Sequence, residues 1–260
     1  MAEVVHAETY GAVMVVTIDR PERRNALNAD VAAGIVAALD AAEASRSIRA
    51  VVLTGAGDKA FCAGGDLQLD ADGTPFTITP DDPQSYVAHL LRRMRACRLP
   101  LVAKVNGHAL AGGFGLVCAC DLAVASETAR LGVTEVKVGL FPMMILPHLL
   151  RVVPERLMME MCLTGEPISG AEAAAHGIVN RAVPAEELDA ETQRLLDKIV
   201  DKSPTGIRIG KQALPRIREM SFDGALDYAQ LMLATMARAE DAREGFRAFA
   251  EKRNPNWTGR

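Results

Sequence analysis

The sequence predicts an α/β fold with a helical C-terminal part. Strand-like apolar runs alternate with helical patterns as far as Ala129–Val133, and from Met143 onward the pattern is almost wholly helical. The 260 residues, 49% hydrophobic, are also enough to bury a substantial core. We expect a core over residues 1–200 that carries the functional site. A helical segment over 201–260 is expected to act as a lid or oligomer contact.

In chain order, Val4–Ala7 and Ala12–Ile18 alternate apolar and polar residues and predict two strands about a turn at Tyr10-Gly11. A polar loop, Arg20–Asn25, follows. Asn28 or Asp30 is placed to cap an alanine-rich helix over about Val31–Glu43. Arg49–Thr54 reads as a buried strand ending in a Gly-Ala-Gly-Asp turn. Asp66–Pro83, rich in aspartate and proline, predicts a mobile loop, and Pro83 or Ser85 starts a helix towards Cys97. Leu101–Val105 is a strand, Gly107–Gly113 a glycine-rich turn and Gly113–Cys118 a short apolar helix. Asp121–Ala125 and Ala129–Val133 are strands. Helices are then expected over Met144–Val152, Pro154–Leu163, Gly170–His176 and Ala185–Leu214, the last broken at Ser203-Pro204. A long helix, Phe222–Lys252, completes the pattern.

Composition removes several function classes. Lys+Arg 29 against Asp+Glu 33 gives a net charge of -4, which argues against a chain built to coat nucleic acid or an anionic membrane. The most apolar stretch, Ala109–Ala125, is interrupted by glycines and Asp121, so no membrane span is expected. The start, MAEVVHAETYG, lacks the basic and apolar regions of a signal peptide. The 5 cysteines include no CxxC pair, so neither a zinc site nor a disulfide framework is indicated, and a reducing, cytoplasmic compartment is expected. No histidine spacing marks a metal site, and no Gly-x-Ser-x-Gly elbow marks a serine hydrolase.

Two glycine-rich segments carry the chemistry that remains. Cys62-Ala63-Gly64-Gly65-Asp66 follows the Arg49–Thr54 strand, and Ala111-Gly112-Gly113-Phe114-Gly115 opens a helix. Each is either an ordinary tight turn or a place where backbone N–H groups converge on a developing oxyanion. Glu135 follows the Ala129–Val133 strand among Leu140, Phe141, Met143, Met144 and Ile145. It is either a buried carboxylate of raised pKa, suited to acid/base work, or a strand-end glutamate paired with Lys137.

Taken together these residues resemble the crotonase (enoyl-CoA hydratase/isomerase) superfamily. Asp19–Asn28 resembles its opening loop, Gly55–Leu67 its first oxyanion segment, and Asn106–Gly113 with Cys120-Asp121 its second. Glu135–Gly139 with Pro142 resembles the stretch bearing a catalytic glutamate, and Phe249–Pro255 the family's ending. The resemblance implies a crotonase-like spiral of ββα units with a helical C-terminal subdomain, assembled as a homotrimer or a dimer of trimers. It implies an acyl-CoA thioester substrate and no further cofactor. Gly65 and Gly112 would supply the two N–H groups that stabilise a thioester enolate, with Glu135 as the acid/base. Arg24, Ala26, Lys59, Ala63, Asp66 and Leu67 would hold CoA, although Lys59 also fits a solvated turn. Phe141, Met143 and Met144 would line the acyl pocket, together with the loop from Gln68 to Ser85.

The sequence departs from the hydratases in that family at three places. The second glutamate maps to Gly115, the glutamine supporting it to Val133, and the small residues after Pro142 are Met143-Met144-Ile145-Leu146. One glutamate suffices to move a proton between carbons, as in the family's enoyl-CoA isomerases, so hydratase and isomerase both stay open. Other enolate reactions (decarboxylation, thioester hydrolysis) and a non-catalytic acyl-CoA-binding scaffold are the alternatives. A fold-related protease would need a nucleophilic serine where this chain has Phe114 and Gly115.

Overall fold

A computed structural model describes residues 4–67 and 85–260, so that 68–84, and with them most of the loop predicted over Asp66–Pro83, lie outside the described residues. The chain opens with β1 (Val5–Tyr10) and β2 (Val13–Ile18), paired antiparallel, then α1 (Ala29–Ala44). Each following turn adds one long strand and one short one. These are β3 (Ala50–Gly55) with β4 (Ala60–Cys62), β5 (Leu101–Val105) with β6 (His108–Leu110), and β7 (Leu122–Ser126) with β8 (Arg130–Gly132). Helices α2 (Tyr86–Ala96) and α3 (Gly112–Ala119) separate them, and α4 (Leu146–Val152) and α5 (Glu155–Thr164) follow. Next come β9 (Ile168–Ser169), α6 (Gly170–Ala175), β10 (Arg181–Val183) and α7 (Leu188–Val200).

The long strands form one six-stranded sheet in the order β1-β2-β3-β5-β7-β10, parallel except for the first pair. The short strands form a second sheet, β4-β6-β8-β9, in which β4, β6 and β8 are parallel. The central strands of the large sheet, β3, β5 and β7, are covered on both faces, which is why they read as apolar runs. Alternation along β3 and β5 divides the side chains: Val51, Leu53, Leu101 and Ala103 join the main core with α1 and α2. Ala50, Val52 and Val102 face Leu196 of α7.

Helix starts follow local chemistry. Asn28 accepts the Val31 N–H (2.9 Å) at the head of α1, and Ser85 accepts the Ala88 N–H (3.2 Å) at the head of α2. Ser169 and Glu172 form a reciprocal capping box on α6. The predicted helix over Phe222–Lys252 is two helices, α9 (Phe222–Met236) and α10 (Glu240–Glu251), preceded by α8 (Pro204–Ile217). The break falls at Ala239, whose extended backbone makes it the N-cap of α10. Apolar periodicity continues across it because both helices offer an apolar stripe, and alanine marks no boundary. The predicted glycine-rich turn over Gly107–Gly113 likewise contains β6.

Asp241, on α10, ties the chain's last residues to α8. Its carboxylate accepts from the Thr258 and Gly259 N–H groups (2.8 and 3.0 Å), from Ser203 Oγ (2.9 Å) and from the Thr205 N–H (3.2 Å). Arg49 reaches the Val200 and Trp257 carbonyls. Large apolar side chains on α9 and α10 stay exposed, among them Phe222, Leu231, Phe246 and Phe249.

The loop before α1 is held by Asn25. This residue is 1% exposed and adopts a left-handed backbone (φ 57°), which asparagine tolerates better than most residues. Its Oδ1 accepts the Arg20 N–H (3.0 Å), while Nδ2 donates to the Ala56 and Ala60 carbonyls (3.0 and 2.7 Å). Asn25→Ala strands those three groups. It is expected to lower stability by about 2–4 kcal/mol, read as a reduced midpoint in urea unfolding with unchanged slope.

Candidate active site

Three parallel strands of the small sheet deliver the site. β4, β6 and β8 lie side by side, with Cys62 opposite Ala109, and Ala109 and Leu110 opposite Leu131 and Gly132. Neighbouring parallel strands are about 4.8 Å apart, so segments leaving the same end of such a sheet begin as neighbours. Beyond the C-terminal ends of these strands come Gly65, Gly112 and Glu135 respectively. The alignment persists past the strands: the Ala111 N–H donates to the Gly132 carbonyl at 2.9 Å.

The Gly64-Gly65 turn meets the start of α3 closely. Gly64 has φ +102°, and a Cβ there would sit 2.8 Å from the Ala111 Cβ and 3.4 Å from the Gly112 nitrogen. Only glycine meets both demands. Across the contact, Ala111 holds φ 49°, ψ -124°, an unfavourable conformation for a residue with a side chain. This sets the angle at which the Gly112 N–H leaves the head of α3, where the helix leaves amides unpaired. The Cβ position of Gly112 is 3.6 Å from the Gly65 nitrogen, which places the two amides around one small space. Among the described residues, the Gly65 bridge to Leu27 uses the Leu27 N–H and the Asp66 N–H, leaving the Gly65 N–H pointing elsewhere. Two such donors can stabilise one oxygen as it gains negative charge.

The opening loop is stitched to this turn. Ala63 donates to the Arg24 carbonyl (3.0 Å), Leu27 to the Gly64 carbonyl (2.7 Å) and Asp66 to the Leu27 carbonyl (2.7 Å). Arg20 completes the join. One guanidinium nitrogen bonds the Ala26 carbonyl (2.7 Å) and another the Asp66 carboxylate (2.8 Å), both side chains being largely shielded. The Asp66 side chain therefore holds the loop as well as standing where the resemblance puts CoA. Arg20 and Asn25 are residues that sequence reasoning passed over. The only available signal was their place in the Asp19–Asn28 motif, because a partner 46 positions away leaves no local periodicity.

Of the other expected CoA residues, Arg24, Lys59 and Ala63 line one cavity of about 370 Å³ with Asn106, His108 and Ala129. Arg24 and Lys59 present exposed cationic groups at its edge. Ala26 is buried behind them and Leu67 is exposed. Of the expected acyl-pocket residues, Phe141, Met143 and Met144 are exposed, Met143 by 66%, whereas Ile145 turns inward and is 2% exposed.

Glu135 begins a short 3-10 turn, Glu135–Val138. It is not paired with Lys137, whose Nζ bonds Glu166 instead (2.8 Å). Its Oε2 is buried without a hydrogen-bond partner among the described residues. Burial raises its pKa above the ordinary carboxylate range, against smaller opposing contributions from the backbone of Glu135 and Thr134. Nearby Cys162 is pushed up by burial and then by the Glu135 charge. Cys62, sealed beneath the turn, is pushed up by burial to about 12 and stays a thiol. Glu135 thus holds its proton more tightly than an exposed carboxyl does. A group of three or more His, Cys, Asp or Glu side chains arranged to hold a metal does not occur among the described residues.

The raised value has a thermodynamic sign. A carboxyl that binds its proton more tightly folded than unfolded opposes folding once ionised. That opposition is absent below the unfolded value of about 4.3, grows as pH rises through the folded value, and is complete above it. Glu135→Gln is therefore expected to melt higher than the parent at pH 7 and to match it below about pH 4, as thermal unfolding in matched buffers will read.

Comparison with known proteins gives this geometry a family. An enoyl-CoA hydratase of Mycobacterium smegmatis has the same fold, with a TM-score of 0.90 and 33% identity over 98% of each chain. A Thermus thermophilus protein carrying an enoyl-CoA hydratase designation is 40% identical over 95% of this chain and 98% of its own. The (E)-benzylidenesuccinyl-CoA hydratase of Thauera aromatica is 34% identical over 98% of this chain and 99% of its own. With residues 8–260 also matching the profile of the enoyl-CoA hydratase/isomerase family, the spiral of ββα units and its helical C-terminal region belong to a member of the crotonase superfamily.

Proposed function

We propose that this acyl-CoA enzyme stabilises a thioester enolate between the Gly65 and Gly112 N–H groups and moves protons with Glu135 alone. The observation that carries the reading is that both amides and a carboxylate with a buried, unpartnered Oε2 follow the same end of the small sheet. Glu135 takes a proton from the carbon next to the thioester carbonyl of a 3-enoyl-CoA. The electron pair passes to the carbonyl oxygen, where the two amides stabilise it. When the carbonyl re-forms, the double bond shifts and the far carbon recovers the proton from Glu135. Nothing is oxidised and no atom is gained.

Hydration of a 2-enoyl-CoA is the second reading, favoured by relatives whose names specify hydratases. It asks Glu135 to activate water and return the proton without help, since Gly115 offers no carboxylate. CoA is assigned to Arg24, Ala26, Lys59, Ala63, Asp66 and Leu67, the cationic Arg24 and Lys59 meeting phosphate. The acyl chain is assigned to Phe141, Met143 and Met144. Residues 201–260 are assigned to lid and oligomer contacts, as the exposed side chains of α9 and α10 suit burial against a second copy.

Two variants test the reading. Glu135→Gln, given a 2-enoyl-CoA and a 3-enoyl-CoA with products resolved by mass and chromatography, is expected to lose turnover by about 10²–10⁴-fold while still binding both thioesters. Equal turnover in parent and variant removes Glu135 from the chemistry; no turnover by either, with binding retained, identifies a scaffold. In Gly112→Ala the added methyl meets the flexible tip of Leu27 at 3.2 Å, which can yield, and intrudes 3.6 Å from the Gly65 nitrogen. That variant should stay folded and lose about 10²-fold in kcat with little change in KM.

A further inference from the structure

Position 115 differs from an ordinary glycine in a helix. A Cβ built there would lie 2.1 Å from Ile145 Cγ2 and 2.7 Å from Ile145 Cβ. Those atoms are next to the Ile145 backbone, and a β-branched side chain has little freedom about χ1, so they cannot swing aside. Neither backbone is free to retreat. The Gly115 N–H is bonded to the Ala111 carbonyl at 3.1 Å, within the segment that aims the Gly112 amide. Ile145 donates to the Pro142 carbonyl (3.2 Å) and accepts from His148 and Leu149 (2.9 and 3.1 Å) at the head of α4. Phe114 and Leu149, both fully buried, close the surrounding core.

The side-chain volume that position 115 would project is therefore taken by an isoleucine arriving from a different element. We infer that Ile145, seated on Gly115, is the specificity-determining residue that keeps Glu135 a lone base and selects double-bond migration over addition of water. This deepens the lone-glutamate reading given above and rests on it. The physical basis is direct. A second acid/base side chain cannot enter from α3 while Ile145 stands there, and the group that fills that volume instead is hydrocarbon, with no atom able to hydrogen-bond a nucleophilic water. A proton carried from one carbon to another by a single carboxylate needs neither, and an apolar wall keeps the proton from being lost to solvent between the two carbons.

The test compares the parent, Ile145→Ala and Gly115→Ser/Ile145→Ala. The last refills the volume from α3 with a polar group, should the first not fold. Each is assayed for water gain on a 2-enoyl-CoA and for migration of a 3-enoyl-CoA, with Glu135→Gln as the control. The parent should favour migration, and the ratio of hydration to migration should rise about tenfold or more when Ile145 is shortened. A merely structural Ile145 would lower both rates together and leave the ratio unchanged. Melting temperatures add an independent reading: Gly115→Ala should lower the midpoint strongly with Ile145 present and only weakly in the Ile145→Ala background. An unchanged ratio in a folded variant overturns this inference while leaving Glu135-dependent turnover intact. A parent that turns over neither substrate overturns the lone-base reading itself, and this inference with it.

Discussion

The parallel register of β4, β6 and β8 is the constraint on which the site depends. Three short strands contribute few hydrogen bonds of their own, yet they fix where three loops begin. The chain positions of Gly65, Gly112 and Glu135 are far apart, and the sheet makes them neighbours. The larger sheet supplies the rigidity. Its central strands β3, β5 and β7 are buried on both faces and its strand β2 is largely buried, so the frame bearing the short strands is held in register by apolar packing. The strain at Ala111 is tolerable in that setting: packing on both sides holds a backbone that would relax in a freer loop.

Much of this was legible in the sequence, and what was not has definite physical causes. The first two strands alternate and the central ones carry apolar runs, and α1 and α2 carry Asn28 and Ser85 caps, so periodicity and capping chemistry both speak. The strands β4, β6, β9 and β10 are too short for any period to show. The pause between α9 and α10 is hidden by alanines, which suit a helix and a boundary equally. The two glycine segments stood out, but glycine pairs alone do not distinguish a turn from an oxyanion cradle. The Gly64–Ala111 contact and the strained Ala111, which bring the two segments together, are properties of tertiary structure. Lys137 beside Glu135 invited a local ion pair; the 3-10 turn points Lys137 at Glu166 instead. No sequence pattern carries the Arg20–Asp66 join, which exists only because β3 and β4 bring the segments together.

Electrostatics separates the ionisable groups near the site by role. Arg20 and Asp66 are mutually neutralised and act as a fastening between loop and turn. Cys62 is sealed as a thiol, too reluctant to ionise to serve as nucleophile or base. Glu135 is partly buried, its Oε2 has no hydrogen-bond partner among the described residues, and burial raises its pKa, a combination common in acid/base groups. Burial is what links function and cost here, because the desolvation that raises its proton affinity also opposes folding at neutral pH.

The Gly115–Ile145 contact also governs the order in which this site can change. A chain acquiring a side chain at position 115 first would force two anchored backbones apart, so that step meets a steep loss of stability. A chain shortening Ile145 first opens a cavity in the core but keeps a working fold, and only then does position 115 become permissive. The two positions are therefore epistatic. Substitutions that put a side chain at position 115 are tolerated in one order, with the head of α4 changing before α3.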